Sequence, residues 1–446
     1  MTDLTIVGGG LAGCEAAWQA AERGVHVKLY EMRPFRKTGA HSSDNLAELV
    51  CSNSLGSNLP NKSSGLLKAE MRKMGSMLIE CADRCAVPAG SALAVDREGF
   101  AAEVTCMIEN HPNIEVIRTE MKEIPEGFSI IATGPLSSAS ISTSIVELLG
   151  TDHLYFYDAL SPIVYYDSID MDVAFKASRY EDGEDGDYIN CPMNYDQYVD
   201  FVNALLDSDR IPLREFEEDI KSGVRAGSHK FFEGCLPVEI IAERGIDSLA
   251  YGPMRPVGIR CPNGGKKPYA VVQLRRDNLA GSLYNIVGFQ TNLVWPDQKR
   301  VLKMIPGLGN ARFARYGMMH RNTFINSPKA INVTLQSKVK SDLFFAGQIT
   351  GVEGYAGNIA TGLVAGINVV RLMNNCIPLN LSLNSMIGSL CHYVANADSE
   401  TFQPMKANFG LLPSLSPPSH KRKWSKRERY ELYSRRALES LDSLKL

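Results

Sequence analysis

The chain has 446 residues and a net charge of −3, with 22% charged and 44% hydrophobic residues. This length allows two or three domains, and the charge argues against a nucleic-acid or membrane partner attracted by the overall field, so such a partner would need a local patch. The N-terminal MTDLTIVGGG does not have the pattern of a signal peptide, and no apolar run approaches the roughly 18 residues of a membrane span. We therefore expect a cytoplasmic protein without a membrane partner.

The first thirty residues predict a dinucleotide-binding unit. An apolar strand, LTIV, runs into the glycine-rich GGGLAG and then into a helical stretch. Gly8, Gly10 and Gly13 have the GxGxxG spacing, which lets the backbone turn tightly and approach a pyrophosphate at the helix N-terminus. A second strand ends on Glu31, whose carboxylate suits the ribose hydroxyls of such a cofactor.

Two later segments favour FAD over NAD. Residues 129–135, SIIATGP, form an apolar strand ending in a turn at Gly134, of the kind that closes flavoprotein nucleotide domains. Residues 341–367 predict a strand, a glycine-punctuated loop and a helix whose small residues allow close packing against backbone or an extended cofactor. A helix that packs only on the sheet is the alternative. No second GxGxxG follows a strand, so a Rossmann domain specific for NAD(P)H is not evident.

The middle of the chain differs in character. Residues 64–74 have apolar positions at helical spacing, which predicts an amphipathic helix with its methionines in the core. Farther on, YFYDALSPIVYY, YAVVQLR and SLYNIVGFQTNLVW have the β-branched and aromatic content of strands. We therefore predict an α/β fold in which a Rossmann-type, glutathione-reductase-like FAD-binding domain at 1–155 and 321–446 is interrupted by an inserted α+β domain at 156–320.

The C-terminal tail is basic. Its segment HKRKWSKRERYELYSRRALESL combines lysines and arginines with Trp424, Tyr430 and Tyr433. Such a segment could contact phosphates and stack on bases, or it could be a solvated amphipathic helix docked by its Leu and Tyr side chains. The sequence leaves both interpretations open.

Two of the ten cysteines differ in their predicted electrostatics. Cys235 precedes a predicted helix that Pro237 begins and Gly245 ends, and the helix dipole there favours a thiolate. Cys51 follows DNLAELV, a predicted short helix, so the dipole at its C-terminal end would disfavour the thiolate. Cys81 and Cys85 could share a metal, but core packing is the simpler interpretation because no His cluster accompanies them, and we expect no metal site.

A set of specific motifs then identifies a family. In chain order they are GGGLAGCEAAWQAAERG, KLYEMRP, LAELVCSNSL, VPAGSALAVDREGFA, FFEGCLPVE, YGPMRPVG, KPYAVVQLR, LYNIVGFQTNL, MHRNTFINSP, LFFAGQITGVEGY and NFGLLP. Together they resemble the folate- and FAD-dependent tRNA (uracil-5-)methyltransferases, from the first strand to the basic tail. The chain departs from the family pattern after GVEGY, where AGNIA, with Asn358, replaces a Val-Glu-Ser-Ala-Ala type run.

The resemblance implies methylation of uracil C5 at position 54 in the tRNA T-loop, with methylenetetrahydrofolate as carbon donor and FAD reloaded by NADPH or NADH. Cys51 and Cys235 match the family's two functional cysteines. The dipole argument favours Cys235 for attack on uracil C6, with Cys51 near the flavin, and Tyr355 matches an aromatic residue that would lie against the flavin ring. The candidate cofactor-binding residues are Gly8, Gly10, Gly13, Glu31, Gly134, Gly347, Gln348 and Tyr355.

Other functions stay open at this level. The expected partners are tRNA, folate and NAD(P)H, with no obligate protein partner evident, but the same chemistry could act on ribosomal RNA. A related flavin- and folate-using family modifies the tRNA wobble uridine, and its chains are longer. A flavin disulfide reductase is disfavoured because CxxC is missing. A non-catalytic, flavin-bearing RNA-binding protein is the alternative from another class.

Overall fold

The structure is a computed structural model. It describes residues 3–151, 154–180, 186–211, 225–231, 236–262, 267–415, 424–442 and 444, and only the backbone of 155–159, 225–231 and 319–321. The strands are β1 Leu4–Val7, β2 Val27–Glu31, β3 Ser54–Ser57, β4 Ala86–Val87, β5 Ala92–Val95, β6 Ile114–Arg118, β7 Ser129–Ile131, β8 Leu154–Ala159, β9 Ile163–Tyr165, β10 Phe175–Lys176, β11 Tyr188–Met193, β12 Arg225–Phe231, β13 Ala270–Arg276, β14 Leu283–Ile286, β15 Phe313–Arg315, β16 Met319–Phe324 and β17 Leu343–Phe345. The helices are α1 Leu11–Ala21, α2 Ser63–Lys73, α3 Met77–Arg84, α4 Arg97–Glu109, α5 Ala139–Leu149, α6 Tyr195–Leu206, α7 Val238–Ala242, α8 Ser248–Tyr251, α9 Trp295–Leu302, α10 Ser327–Ala330, α11 Tyr355–Met373, α12 Met386–Asn396 and α13 Lys426–Glu439.

A parallel sheet organises the first and last parts of the chain. Its order is β17-β7-β1-β2-β6, and every neighbouring pair is parallel. The strand order reverses between β1 and β7, and ligands of such sheets bind at this switch point, beyond the carboxyl ends of the strands. The predicted α/β fold of Rossmann type is therefore confirmed.

Helix α11 packs backbone to backbone on α1. A Cβ added at Gly362 would lie 2.3 Å from the Ala12 carbonyl oxygen, and one at Gly366 would lie 2.7 Å from that of Ala16. The predicted small-residue face thus contacts another helix, so the alternative of packing on the sheet alone is wrong. Within the described part of the chain, α11 is the one helix with the length and apolar composition of a membrane span, and 83% of that window is buried inside the protein.

The middle of the chain forms two further sheets. One has six strands in the order β10-β11-β13-β14-β9-β15, with every pair antiparallel, and the other has the order β12-β8-β16. The predicted strand content of SLYNIVGFQTNLVW is limited to Leu283–Ile286. One hydrophobic core contains Val164 to Ala311, whereas the larger core combines residues before Ile145 with residues after Phe324. The domain boundaries at 155 and 320 stay a prediction, which these two cores support.

The predicted amphipathic helix is α2, and Met71 and Met74 are buried in the core as expected. The basic tail contains α13, which begins with a capping box of Ser425 and Glu428. Tyr433 is buried, and the Phe409 ring stacks on Tyr430 at 4.4 Å between centroids. The described part of the tail, residues 424–442, therefore contains a docked amphipathic helix whose basic residues at 426, 427, 429 and 435 remain exposed, and the basic stretch at 420–423 lies outside the described residues.

Glu70 generates a prediction about pH. Burial raises the pKa of its carboxyl to about 7, although the backbone N–H groups of Met386 and Ile387 donate to it and oppose that shift. The unfolded chain loses this proton near pH 4.5, so the folded state binds more protons between about pH 4.5 and 7, and stability falls as pH rises through that window by about 3 kcal/mol.

We expect Glu70→Gln to flatten this part of the stability curve because glutamine does not titrate. Chemical denaturation at pH 5 and pH 8 measures the change. The control is Glu115→Gln, which removes an exposed carboxylate from β6. An equal loss of stability in Glu70→Gln and the unsubstituted protein between these pH values would contradict the prediction.

Candidate active site

A cavity of about 980 Å³, part of which is open to solvent, lies at the carboxyl ends of β1, β2, β7 and β17. The structure brings seven of the eight predicted cofactor-binding residues into its lining: Gly8, Gly10, Glu31, Gly134, Gly347, Gln348 and Tyr355. Gly13 is the exception among them, and it has a packing role. A Cβ there would lie 1.8 Å from the Gly8 carbonyl oxygen, so only glycine lets α1 approach the β1 turn this closely.

Glu31 is held in place at the end of β2. One carboxylate oxygen accepts the Gly9 N–H at 3.0 Å, and the other accepts the backbone N–H and the Nε–H of Arg33, each at 3.0 Å. Burial alone would raise the pKa of this carboxyl, but the hydrogen bonds and charge of Arg33 hold it below its ordinary value. Glu31 is therefore an oriented anion, and its oxygens retain lone pairs for hydroxyl donors.

The lining fits a flavin dinucleotide. A Cβ on Gly10, the residue preceding α1, would meet nothing within 4 Å, so the helix N-terminus is open to a phosphate. Asn358, in the first turn of α11, lines the same cavity, and its Oδ1 is buried without a hydrogen-bond partner among the described residues. Such an orphaned acceptor matches the N–H groups of a flavin pyrimidine ring, and it lies in the AGNIA segment that departs from the family pattern.

Arg33 is a further member of this site, which the sequence patterns did not predict. Its guanidinium also donates to Glu48 at 3.3 Å, and both side chains line the cavity. The available signal was an arginine two positions after the acid that ends β2. Spacing from the end of β2 could not have identified Glu48, because the intervening loop brings this residue back to the strand end.

The helix predicted for DNLAELV is wrong, and with it the unfavourable dipole at Cys51. Leu46 and Ala47 form a turn, and Ala47 has φ 51°. The Leu46 N–H donates to Thr105 Oγ1 and the Ala47 N–H to the Gly9 carbonyl, each at 2.9 Å. These donors are satisfied by distant partners, so the segment lacks the i to i−4 bonds of a helix.

Cys51 lies beside the cofactor cavity instead. Its N–H donates to the Tyr355 hydroxyl at 2.7 Å, and both Tyr355 and the preceding Val50 line the cavity. Tyr355 begins α11 and is partly buried, and removal of its hydroxyl from water raises the pKa of the phenol. The structure therefore joins two predicted site residues that are 304 positions apart in the chain.

Three arginines surround this loop, of which two are buried and Arg315 is partly buried. Arg97 pairs with the Asp277 carboxylate through Nε at 3.2 Å and Nη2 at 2.9 Å, and it also donates to the carbonyls of Leu49 and Cys51. Arg315 donates to the Val50 carbonyl at 3.1 Å and to the Cys51 carbonyl at 2.9 Å. The Cys51 loop is thus held by Arg97 of α4, from the first part of the chain, and by Arg315 of β15, from the middle part.

The third arginine supports the residues that follow Cys51. Arg275 donates to Asn53 Oδ1 at 2.9 Å, and Asn53 in turn donates to the carbonyls of Val95 and Arg276 at 2.9 Å. Burial lowers the pKa of Arg275 and of Arg315, while Asp277 outweighs burial and raises that of Arg97. Three guanidinium groups against one carboxylate leave the surroundings of Cys51 positively charged, which favours an anion there.

Cys235 lies outside the described residues, so its predicted role stays a prediction. The helix expected after it is α7, Val238–Ala242, which Pro237 precedes. Cys81 is buried in α3 and Cys85 follows that helix, and burial raises the pKa of the Cys81 thiol to about 12. Among the residues with described positions, no group of three or more His, Cys, Asp or Glu side chains could hold a metal ion.

Comparisons with known proteins agree over nearly the whole chain. A sequence model of the family described as Glucose inhibited division protein A matches residues 3–376. The methylenetetrahydrofolate--tRNA-(uracil-5-)-methyltransferase TrmFO of Bacillus subtilis is 54% identical over 441 residues, covering 99% of this chain and 98% of that protein. The protein of the same name from Bacillus licheniformis is 53% identical with the same coverage.

Solved structures agree on the fold. GidA of Aquifex aeolicus in its form II crystal has a TM-score of 0.66 at 15% identity, covering 98% of this chain and 72% of that chain. The form I crystal has a TM-score of 0.65 at 16% identity, covering 90% of this chain and 72% of that chain. At this identity the likeness concerns the arrangement of the elements.

The arginine cluster generates a prediction about thiol reactivity. We expect Arg315→Gln to slow alkylation of Cys51 by iodoacetamide at pH 7 by about threefold to tenfold, because the change removes a positive charge that favours the thiolate. Peptide mapping by mass spectrometry over a pH series measures the rate. The control is Arg312→Gln, which removes an exposed arginine nearby. If both variants had the same pH profile, the arginine would only support the loop.

Proposed function

The chain belongs to the methylenetetrahydrofolate--tRNA-(uracil-5-)-methyltransferase family, and on this premise we propose that it methylates uracil C5 in the tRNA T-loop, at position 54, at the rim of the cavity described above. Members of the family named above are 53 to 54% identical to it over 99% of its length. The chain is thus a folate-dependent enzyme acting on tRNA, and the T-loop position is the finer part of the proposal.

One observation supports the location of the chemistry. The 2.7 Å hydrogen bond from the Cys51 N–H to the Tyr355 hydroxyl joins the thiol loop to the cavity that fits FAD. A thiol fixed beside such a cavity can act on a group held there, whereas a distant cysteine could not. This is the geometry expected of an enzyme, and it favours catalysis over a non-catalytic flavin-bearing scaffold.

The residues of the cavity have separate roles in the proposal. FAD, when bound, supplies the redox chemistry that converts the transferred methylene of methylenetetrahydrofolate to a methyl group. Glu31 would accept hydrogen bonds from the ribose hydroxyls, and Gly8 and Gly10 would let the pyrophosphate approach the N-terminus of α1. Asn358 would accept a hydrogen bond from the isoalloxazine. The Tyr355 hydroxyl accepts the Cys51 N–H and so fixes the position of the Cys51 backbone.

The two cysteines divide the remaining work. Cys235 would add its sulfur to uracil C6, and the electrons of the C5–C6 double bond would make C5 nucleophilic. After the new carbon bond forms at C5, loss of the C5 proton and cleavage of the S–C6 bond restore the ring. Cys51 would hold or protect the one-carbon unit beside the flavin, which suits its place next to Tyr355. The assignment of Cys235 rests on sequence resemblance.

Three further features belong to the proposal. NADPH or NADH would reload the flavin, the enzyme would work in the cytoplasm, and it would need no obligate protein partner. Ribosomal RNA is the second candidate substrate because the same thiol chemistry would serve it.

The first test supplies the purified protein with FAD, NADPH, labelled methylenetetrahydrofolate and an unmodified tRNA transcript. We expect the label at the T-loop uridine by nuclease mapping. A transcript with cytidine at that position is the matched control and should remain unlabelled. Label in ribosomal RNA but not in tRNA would replace the proposed substrate, and flavin reduction without any labelled RNA would contradict the enzymatic function.

The cysteine assignment is tested by substitution. We expect Cys51→Ala to lower methyl transfer by at least about a hundredfold, because the change removes the thiol proposed to hold the one-carbon unit. Cys106→Ala removes an exposed cysteine of α4 and is the control, with unchanged activity. The assignment predicts that Cys51→Ala still forms a covalent adduct with RNA and that Cys235→Ala does not. The opposite pattern on denaturing gels would reverse the two roles.

Glu31 provides the test of the cofactor site. We expect Glu31→Gln to weaken FAD binding by about tenfold or more, because charge-assisted hydrogen bonds to the ribose are lost. Reconstitution of the flavin-free protein, followed by fluorescence, measures the dissociation constant. Glu115→Gln is the control for the loss of one negative charge. An unchanged dissociation constant in Glu31→Gln would place the ribose elsewhere.

A further inference from the structure

A second groove lies on the six-stranded sheet side of the molecule, and the reaction does not use it. It is formed by two motifs that resemblance singled out, YGPMRPVG and KPYAVVQLR, together with the start of α6. Tyr195, Tyr251 and Tyr269 line it, as do Arg255 and Lys267. Tyr251 is 80% exposed and Tyr195 is 55% exposed, so both side chains are accessible to a ligand.

Hydrogen bonds and ring contacts anchor the residues that form this groove. The Tyr269 hydroxyl donates to the Asp247 carboxylate at 2.5 Å, and its ring meets that of Tyr195 edge to face at 5.0 Å. Met254 is completely buried, and its carbonyl accepts the Val271 N–H at 2.9 Å. The backbone that presents Tyr251 and Arg255 is therefore anchored to β13, so a ligand would have to order only their side chains.

The charged side chains that line the groove are all positive. Arg255 and Lys267 are its charged residues, both are exposed, and neither makes an ion pair with any residue that the structure describes. The adjacent Asp247 is engaged by Tyr269, while Asp196 lies exposed beside Tyr195 at the start of α6. Two unpaired cations beside open tyrosine rings are complementary to a polyanion with aromatic bases.

Strand β13 connects this groove to the thiol site. Tyr269 precedes the strand at the groove, and Arg275 and Asp277 lie at its other end beside the Cys51 loop. Six residues of extended strand span about 20 Å. At about 3.4 Å per stacked nucleotide this distance corresponds to roughly six nucleotides, so a chain bound in the groove would reach the thiol site with a different nucleotide.

We propose that this groove binds the RNA substrate outside the reacting nucleotide, through stacking of unpaired bases on Tyr195 and Tyr251 and contacts of Arg255 and Lys267 with phosphates. The proposal rests on the proposed function, because it takes RNA as the substrate. A nicotinamide dinucleotide would need to reach the flavin cavity, about 20 Å away along β13, and a second copy of the chain would bring no complementary phosphates to the two cations.

Binding of an unmodified tRNA transcript to the FAD-loaded enzyme tests the proposal. We expect Tyr251→Ala and Arg255→Gln each to raise the dissociation constant by roughly tenfold. Arg255→Gln and Lys267→Gln should each reduce the slope of log affinity against log salt by about one. The controls are Tyr166→Ala and Lys299→Gln, which remove an exposed tyrosine and an exposed lysine elsewhere and should change neither quantity.

Kinetics separate this proposal from the proposed function. In the groove variants we expect KM for tRNA to rise while kcat and NAD(P)H-dependent flavin reduction stay unchanged. If the unsubstituted enzyme transfers the methyl group but the groove variants bind tRNA as tightly as the control variants, the groove proposal is wrong and the proposed function stands. If the groove variants have a raised KM for NADPH and an unchanged tRNA affinity, the groove binds a nicotinamide dinucleotide instead. If they lose a dimer in sedimentation, it binds a second copy of the chain instead. No RNA binding by the unsubstituted enzyme would overturn both proposals.

Discussion

The buried ion pair between Arg97 and Asp277 is the interaction on which the candidate site depends. It joins α4 to the residue after β13 across 180 positions of the chain, and Arg97 also donates to the carbonyls of the Cys51 loop. Removing one partner of such a pair leaves a buried charge uncompensated, which typically costs about 3–5 kcal/mol. The ion pair that links α4 to the end of β13 therefore also holds the Cys51 loop at the cavity rim.

On the proposed function and the proposed groove, this arrangement would let one fold separate chemistry from recognition. The parallel sheet places its strand ends around a cavity that fits FAD, and the Cys51 loop closes the side of that cavity where α11 begins. The antiparallel sheet contributes Arg275, Asp277 and Arg315 to the thiol site, and at the other end of β13 it presents the tyrosine groove. A polymeric substrate that spans both places would be held at one and modified at the other.

Local patterns predicted the local parts of this site. The glycine spacing and the acid at the end of β2 depend on contacts between neighbouring elements, so Gly8, Gly10 and Glu31 were found from sequence and line one cavity. The helix expected before Cys51 was wrong because Leu46 and Ala47 bond to distant Thr105 and Gly9, and propensity does not register such partners. The unfavourable helix dipole predicted at Cys51 was wrong for the same reason.

The sequence by itself determined the α/β class, the dinucleotide turn, the family and the identity of the two candidate cysteines, because these follow from short-range spacing and from motifs. Only the tertiary structure decided what surrounds Cys51. Arg97, Arg275 and Arg315 come from α4, β13 and β15, and no spacing in the chain relates them to the thiol. Long-range packing brings their charges to one loop, since a buried guanidinium must find acceptors wherever the fold supplies them.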